Sequence, residues 1–402
     1  MSRPAVSVLV PAFDQARYLP AALDAALSQS LSDVEIVVVD DGSTDETPAI
    51  LAAYSGRVRS VHQDNRGLPA ARNRSLAEAR GELVAFLDAD DVWAPDYLDA
   101  MCAALRAASG AVLAFGAWRY IDESGAILPQ TVVPFDGRPD RLSEELLWRN
   151  GIVPSGVVAR ASAVRAAGAF DHALRACEDW DLWLRMRGLG PFVSVPRPLV
   201  GYRTHGENMT EDVERMEAAR LALHVKHLGP LEGPPADWPL PRRRAVAYTY
   251  FVSGLAHAAR RRPDAAADRI DHALQVWPPL AELPEFFYAL AAAHQPRGYQ
   301  GSGVALELSA AESLLLELRD GRSVLAAAIR GRWGDACLAL ARLALNAGQH
   351  QPARRYAVEA LLRSPAAHKP AALRALVTAA LPAALRRWRP GSAPTAPGPG
   401  TP

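Results

Sequence analysis

Cysteine is scarce in this chain. Three residues, Cys102, Cys177 and Cys337, are spread over 402 positions, and none stands at metal-ligand spacing from another. So sparse and odd a count argues against a disulfide scaffold and fits a reducing compartment. Net charge is absent too, since 44 basic residues balance 44 acidic ones. Nothing overall favours nucleic acid or an acidic membrane surface as a partner. No stretch approaches the roughly 18–20 apolar residues that span a bilayer. The short run near the start is broken at Pro11, too early for a secretory signal. The expectation is a cytoplasmic protein without a transmembrane segment, soluble or held peripherally at the inner face of the membrane. There is also no G-x-G-x-x-G after the first strand and no G-x-x-x-x-G-K-[ST] anywhere, so dinucleotide and Walker-type phosphate sites lose their main support.

What is present follows two grammars. From Val6 to about Ile121, short β-branched runs (VSVLV, VEIVVVD, VRSVHQ, LVAFLD, AVLAFGAWRY) alternate with helical stretches. Near-continuous hydrophobicity marks strands buried on both faces of a parallel sheet. Leu19, Leu23, Ala26 and Leu27 repeat at helical spacing, and Leu68 to Arg80 and Pro95 to Ala107 read as further helices. Ser43 with Glu46 reads as a capping box for the helix carrying Ile50 and Leu51,. This predicts a doubly wound, mostly parallel α/β sheet. Residues 123–150 read as an excursion, VPSGVVAR and FVSVP as short strands, EDWDLWLRMR as a helix and HGENMT as a loop.

Beyond about Glu214 strand signals vanish and Ala, Leu and Arg dominate. Tyr250, Gly254, Ala266, Ala273 and Pro278, then Ala341, Gly348, Ala353, Ala360 and Pro365, stand at tetratricopeptide spacing,. The chain is therefore divided into an α/β domain over 1–213, a helix and linker over 214–240, an all-α helical-repeat domain over 241–388, and a Pro/Gly-rich tail over 389–402 that is expected to be disordered,.

The strongest chemical signal is VAFLDADDVW, a buried strand that runs into Asp88, Asp90 and Asp91. Asp40 and Asp41 stand at the equivalent end of the second strand. Ligands of open α/β sheets bind beyond the carboxyl ends of the strands, and like charges gathered there cost stability unless something positive arrives. A hard divalent cation with an incoming phosphate meets that need. Turn and cap chemistry is the plainer account of either pair alone, and Asp41-Gly42-Ser43 does supply a turn,. The first strand ends in Pro11-Ala12-Phe13-Asp14, where an aromatic can stack a base or simply pack.

Taken in order, VSVLVPAFDQARYLP…VEIVVVDDGSTDET, NRGLPAARNRSLAEARGELVAFLDADDVWAPDYL and CEDWDLWLRMR resemble a family-two glycosyltransferase of the glycosyltransferase A fold, over roughly residues 4–210. The resemblance implies roles by position. Pro11 and Phe13, the latter in place of the commoner Tyr, would flank the nucleotide base, and Asp41 would accept its N–H. Asp14 stands where Asn is commoner. Arg72 and Asn73 would belong to a segment closing over the nucleotide. Asp88 and Asp90 would be the DxD pair, Asp88 toward ribose and metal shell and Asp90 on the metal, Mn²⁺ or Mg²⁺, with Asp91 behind them. Asp179 would be the general base, with Glu178 beside it. His205 would be a late metal or diphosphate contact. Arg185 and Arg203 are candidates for the diphosphate, although Arg185 also stands where it can pair with Glu178 or Asp181. Trp180 and Trp183 are candidates for an acceptor platform, at a helical spacing that puts at least one in the core.

The implied reaction explains the residue types. A nucleoside diphosphate leaves a sugar as a hydroxyl of a glycan, lipid-linked or protein acceptor attacks. Metal stabilises the departing diphosphate, the sugar carbon gains oxocarbenium character, and a carboxylate takes the acceptor's proton. One base opposite the leaving group gives inversion. UDP is the expected carrier and cell-surface polysaccharide or glycoconjugate synthesis the expected setting. A nucleotidyltransferase lacks support because PAFDQARYL has no Gly-rich loop, and a processive synthase because RGRW and LRRW lack the Gln of QxxRW. The alternative from another class is a catalytically weak transferase acting as a scaffold, with its helical repeats holding a protein partner.

Overall fold

The computed structural model describes residues 3–137, 139–300, 302–304, 306–321, 323–363 and 369–380. Pro365 and the 389–402 tail lie outside them. The first part of the chain runs β1 (Val6–Ala12), α1 (Leu19–Leu27), β2 (Val34–Asp40), α2 (Thr47–Ala53), β3 (Arg59–His62), α3 (Leu68–Glu78), β4 (Leu83–Phe86), β5 (Val92–Trp93) and α4 (Tyr97–Ala107). There follow β6 (Leu113–Ile121), β7 (Ile127–Val132), α5 (Pro139–Glu145), β8 (Val157–Arg160), α6 (Ala161–Ala166), α7 (Glu178–Met186) and β9 (Phe192–Arg203). The rest is helical: α8 (Val213–Leu228), α9 (Leu240–Ala259), α10 (Pro263–Val276), α11 (Pro284–Ala292), α12 (Leu308–Asp320), α13 (Val324–Gly331), α14 (Trp333–Asn346), α15 (His350–Arg363) and α16 (Lys369–Ala380).

The nine strands form one sheet in the order β3-β2-β1-β4-β8-β6-β9-β5, with β7 hairpinned onto β6. The run β3-β2-β1-β4 is parallel. Beyond it β8 lies antiparallel to both β4 and β6, and β9 runs parallel to β6. The central strands β1, β4 and β8 and the end of β2 are apolar because both faces are covered. Leu9, Val37, Val84 and Phe86 point into one core with Leu76 of α3 and Trp183 of α7. Val8, Val10, Ile36 and Val38 point into the other with Leu19 and Leu23 of α1 and Met101 of α4. Register then delivers the acids. Ala12 pairs with Asp40, so Asp41 and the residues after β4 emerge on one edge.

Three local expectations are corrected. The capping box does not form: α2 starts at Thr47 with no side-chain cap on its first turn. Ser43 Oγ instead accepts the Asp14 N–H at 3.0 Å, and Asp14 Oδ1 accepts the Thr44 N–H at 2.7 Å. The loops after β1 and β2 are laced to each other, with Asp14 at φ +50°. Residues 127–132 are not an excursion but a strand of the sheet. FVSVP is the start of a twelve-residue strand. Its prolines fall where the register with β6 slips, which is where a strand tolerates a missing N–H.

Contacts divide the chain into two compact units, one of residues 1–283 with 295–300 and one of 284–294 with 301 onward. The packing boundary thus lies well beyond positions 213 and 240, where composition shifts. Met216 and Leu223 of α8 belong to the core that includes Trp183, so burial, not strand content, sets the limit of the first unit. Within it α9 meets α10 at Gly254, where a Cβ would lie 2.5 Å from Ile270 Cγ1. In the second unit Ala344 and Ala353 pack with Ala379, and Cys337 and Ala360 with Ala372. Among the described residues no helix is long and apolar enough to cross a membrane.

Candidate active site

A cavity of about 830 Å³ opens at the carboxyl edge of β1, β2 and β4 and continues beneath α7, α8 and α9. Pro11, Phe13, Asp41, Arg72, Asp88, Asp90, Asp179 and His205 all line it. Asn73 does not. Its amide is clamped to the backbone of Phe170, donating to the carbonyl at 2.8 Å and accepting the N–H at 2.9 Å. It positions the segment before α7 instead of facing the cavity.

Phe13, 43% exposed, stands at the outer rim, with Pro11 lining the cavity from its buried place in β1. Asp41 is 3% exposed. Oδ1 accepts from Gln63 Nε2 at 2.7 Å and the Arg66 N–H at 3.0 Å, and Oδ2 accepts the Gly67 N–H at 2.8 Å. A carboxylate offers about four acceptor positions, so one remains. Gly67, at φ +86°, turns the backbone toward this carboxylate and starts α3.

Arg72 is buried and bridges two carboxylates. Nη2 donates to Asp88 Oδ1 at 2.6 Å and Nη1 to Glu178 Oε1 at 2.5 Å. Its Cζ lies 5.4 Å from the Phe170 ring centroid. The pKa of Arg72 is raised by Asp88 and Glu178 against a desolvation effect that lowers it. Replacing Arg72 with Met would leave the buried Glu178 and the part-buried Asp88 without their cation. The expected cost is about 3–5 kcal/mol, read as a lower urea midpoint at unchanged m-value. A loss below about 1 kcal/mol would show that the cluster does not need its cation.

The Asp90–Asp91 turn is fastened from far along the chain. Asp91 is buried, accepting from Ser155 Oγ at 2.6 Å and the Arg203 N–H at 2.9 Å. Burial raises its pKa well above the usual range, helped by Asp90 and Asp88. Arg203 donates from Nε to the Asp90 carbonyl at 2.7 Å and from Nη1 to the carbonyls of Asp122 and Glu123. Its guanidinium is therefore spent on backbone and does not line the cavity. Arg185 is likewise committed, to Asp181 and to the carbonyls of Ala167 and Ala169. Neither arginine faces a diphosphate position.

Asp90 Oδ2 meets His205 Nε2 at 3.0 Å. His205 Nδ1 lies 3.3 Å from the Glu207 backbone nitrogen. Tyr18 lies against the imidazole, with centroids 4.9 Å apart. Among the described residues, no three His, Cys, Asp or Glu side chains are gathered tightly enough to hold an ion alone. A hard cation that arrives with phosphate oxygens and water needs only one or two protein ligands. The Asp90–His205 pair, with Asp88 beside it, fits that kind of ion.

Asp179 sits in the first turn of α7, behind Cys177, which takes a left-handed conformation at φ +60°. Asn150 Nδ2 donates to Asp179 Oδ2 at 3.2 Å. Burial pushes the Asp179 carboxyl up to about 7, with Glu178 adding to the rise and Arg72 opposing it. Of the tryptophans, Trp183 is wholly core, whereas Trp180 lines the cavity with its Nε1 fixed to the Leu146 carbonyl at 2.6 Å. Sequence reasoning missed Asn150, Ser155 and Asn208. Asn150 lies in a stretch without periodicity, and Ser155 and Asn208 act only through side chains that fold back from other elements.

Comparison with known proteins bears on the same segment. Residues 7–176 match the model of the family described as "Glycosyl transferase family 2". An uncharacterised glycosyltransferase of Rickettsia felis is 29% identical over 219 residues, 52% of this chain and 36% of the relative. The putative glycosyltransferase EpsH of Bacillus subtilis is 40% identical over 104 residues, 25% of this chain and 30% of the relative. The aligned region thus spans about a third of these relatives' own length. Among solved structures, a mannosyltransferase from Pyrobaculum calidifontis in complex with GDP-Man and Mn²⁺ is 20% identical with a TM-score of 0.46, covering 86% of this chain and 88% of that one. Asp41, Arg72, Asp88 and Asp90 all fall inside the residues that match the family-2 glycosyltransferase model.

Proposed function

We propose that this protein is an inverting, divalent-metal-dependent glycosyltransferase. It moves a sugar from a nucleoside diphosphate sugar, of UDP type, to an acceptor hydroxyl in cell-surface polysaccharide or glycoconjugate synthesis. The observation that carries this reading is that one cavity holds both the Asp41–Asp88–Asp90 edge and Asp179, with Arg72 joined to each side.

In this mechanism the Pro11–Phe13 rim receives the base, and Asp41 uses its remaining acceptor position on the base N–H. Asp88, oriented by Arg72, faces the ribose. Asp90 and His205 hold Mn²⁺ or Mg²⁺, which when bound stabilises the charge on the leaving diphosphate. Asp179, oriented by Asn150, takes the proton of the acceptor hydroxyl on the far side of the sugar. A base poised near the working pH combines availability with driving force. The helices of the second unit are proposed to recruit a protein partner or the acceptor.

A panel of UDP-, dTDP- and GDP-sugars, tested for hydrolysis with and without Mn²⁺ or Mg²⁺, decides the matter. Absence of any metal-dependent turnover or thermal stabilisation would sink the reading and leave a scaffold in its place. For an active donor, kcat/KM is expected to climb about tenfold per pH unit below about 7 and level off above it, because Asp179 must be ionised to act,. A profile flat from about pH 5.5 to 8.5 would remove Asp179 as the base.

A further inference from the structure

Four arginines line the cavity: Arg72, Arg149, Arg215 and Arg220. Three are committed. Arg72 holds Asp88 and Glu178, Arg149 holds Glu145, and Arg215 donates to the Arg175 carbonyl at 2.7 Å. Among the described residues Arg220, on α8, has no hydrogen-bond or ion-pair partner. A guanidinium stays charged in any protein environment, and Arg220, half-buried in the cavity wall, keeps its donors available to an incoming anion. The charged and titratable groups that act on it are Cys177, two residues before Asp179, Tyr248 of α9, Arg297 and Glu217. Burial is the main influence on Arg220 itself and lowers its pKa. Arg220 lines the same cavity as Cys177, Asp179 and Trp180 at the start of α7, the element that carries the proposed base. Trp180 and Tyr248 both line that cavity. Their rings suit the apolar face of a sugar, which leaves Arg220 to meet a charge. Arg220 also lies beyond residues 7–176, so this wall belongs to the chain's own helical region.

We propose that Arg220 forms an anion subsite for the acceptor, so that the preferred acceptor is a sugar carrying a carboxylate or phosphate close to its reacting hydroxyl. This rests on the glycosyltransferase reading of the cavity. The planar fork of Arg220 takes the anion's oxygens in pairs, while the ring lies against the aromatic wall with a hydroxyl toward Asp179. A neutral sugar of the same size leaves the guanidinium unpaired and binds more weakly.

The test is calorimetric titration of the full chain, preloaded with Mn²⁺ and UDP, using methyl β-glucuronide, glucose 6-phosphate and methyl β-glucoside. The charged sugars are expected to bind about tenfold or more tightly than the neutral one. Which of the two charged sugars binds better identifies the anion. Arg220→Gln should erase the preference without lowering the melting temperature, and Arg220→Lys should keep most of it. Equal affinity for charged and neutral sugars would overturn the proposal, as would a preference that survives in Arg220→Gln. A preference seen only without UDP would assign Arg220 to the donor diphosphate and overturn it too. Metal-dependent UDP binding is measured in the same cell. Its failure would sink the donor-site reading, whereas the comparison of Arg220 variants, repeated without UDP, would still report on the anion subsite.

Discussion

Replacing Asp90 with Ala is expected to abolish sugar transfer and to leave nucleotide binding indifferent to Mn²⁺. Asp90 supplies the one cavity-facing carboxylate that also meets an imidazole, His205 Nε2 at 3.0 Å. Asp88 stands beside the pair, but it already accepts from Arg72, and no group of three such donors is gathered among the described residues. Without Asp90 the ion would be left to His205, the committed Asp88 and ligand oxygens, a poor site for a hard cation. The loss should exceed about a thousandfold in kcat/KM, because the leaving diphosphate would then depart without its charge compensated. Titrating UDP with and without Mn²⁺ provides the check. If Mn²⁺ still tightens UDP binding in the variant as it does in the parent, the ion sits elsewhere.

The second large effect concerns Asp179→Asn. The amide is nearly isosteric and can still meet Asn150, but it cannot take a proton. Turnover should fall about a hundredfold or more at nearly unchanged donor affinity. The same substitution should stabilise the fold. Asp179 binds its proton far more tightly in the folded protein, where its pKa is about 7, than at its ordinary value of 3.8. Between those values the native state holds a proton that the unfolded chain has released, so stability falls as pH rises through that window. At pH 8 an uncharged Asn escapes this penalty, and its melting temperature should exceed the parent's by about several degrees. Near-normal turnover would refute the base. Collapse of donor binding would move Asp179 to the nucleotide side.

How far could the sequence be read? The strands β1, β2 and β4 were legible because burial on both faces leaves unbroken apolar runs, and a run that stops at Asp41 or Asp88 advertises the edge where ligands bind. The cavity wall was not legible. Tyr248 and Arg220 lie on helices whose Ala- and Leu-rich composition suggested a separate domain, yet they pack within the unit that holds the sheet. Arginines misled most. Arg185 and Arg203 stand at suggestive positions, but a long side chain finds its partners in three dimensions. Arg203's partners, at Asp90, Asp122 and Glu123, lie 80 residues or more away in sequence. Arg72 was recognisable as part of a motif, but its bridge to Glu178, 106 residues downstream, was not.

The fastening of the Asp90–Asp91 turn has a consequence for biosynthesis. Apart from the bond from Ser155, 64 residues downstream, its bonds come from Arg203, His205 and Asn208, 112 to 118 residues downstream. A ribosome therefore releases the whole nucleotide edge long before the last of these bonds can tie down the turn proposed to carry the cation. Competence is expected to arrive as one late event in translation, so that nascent chains do not hydrolyse sugar nucleotides while still growing. Stalled chains of graded length, tested for Mn²⁺-dependent UDP binding, should stay silent until Asn208 clears the exit tunnel. Binding by chains that end before Arg203 would show that the turn closes unaided.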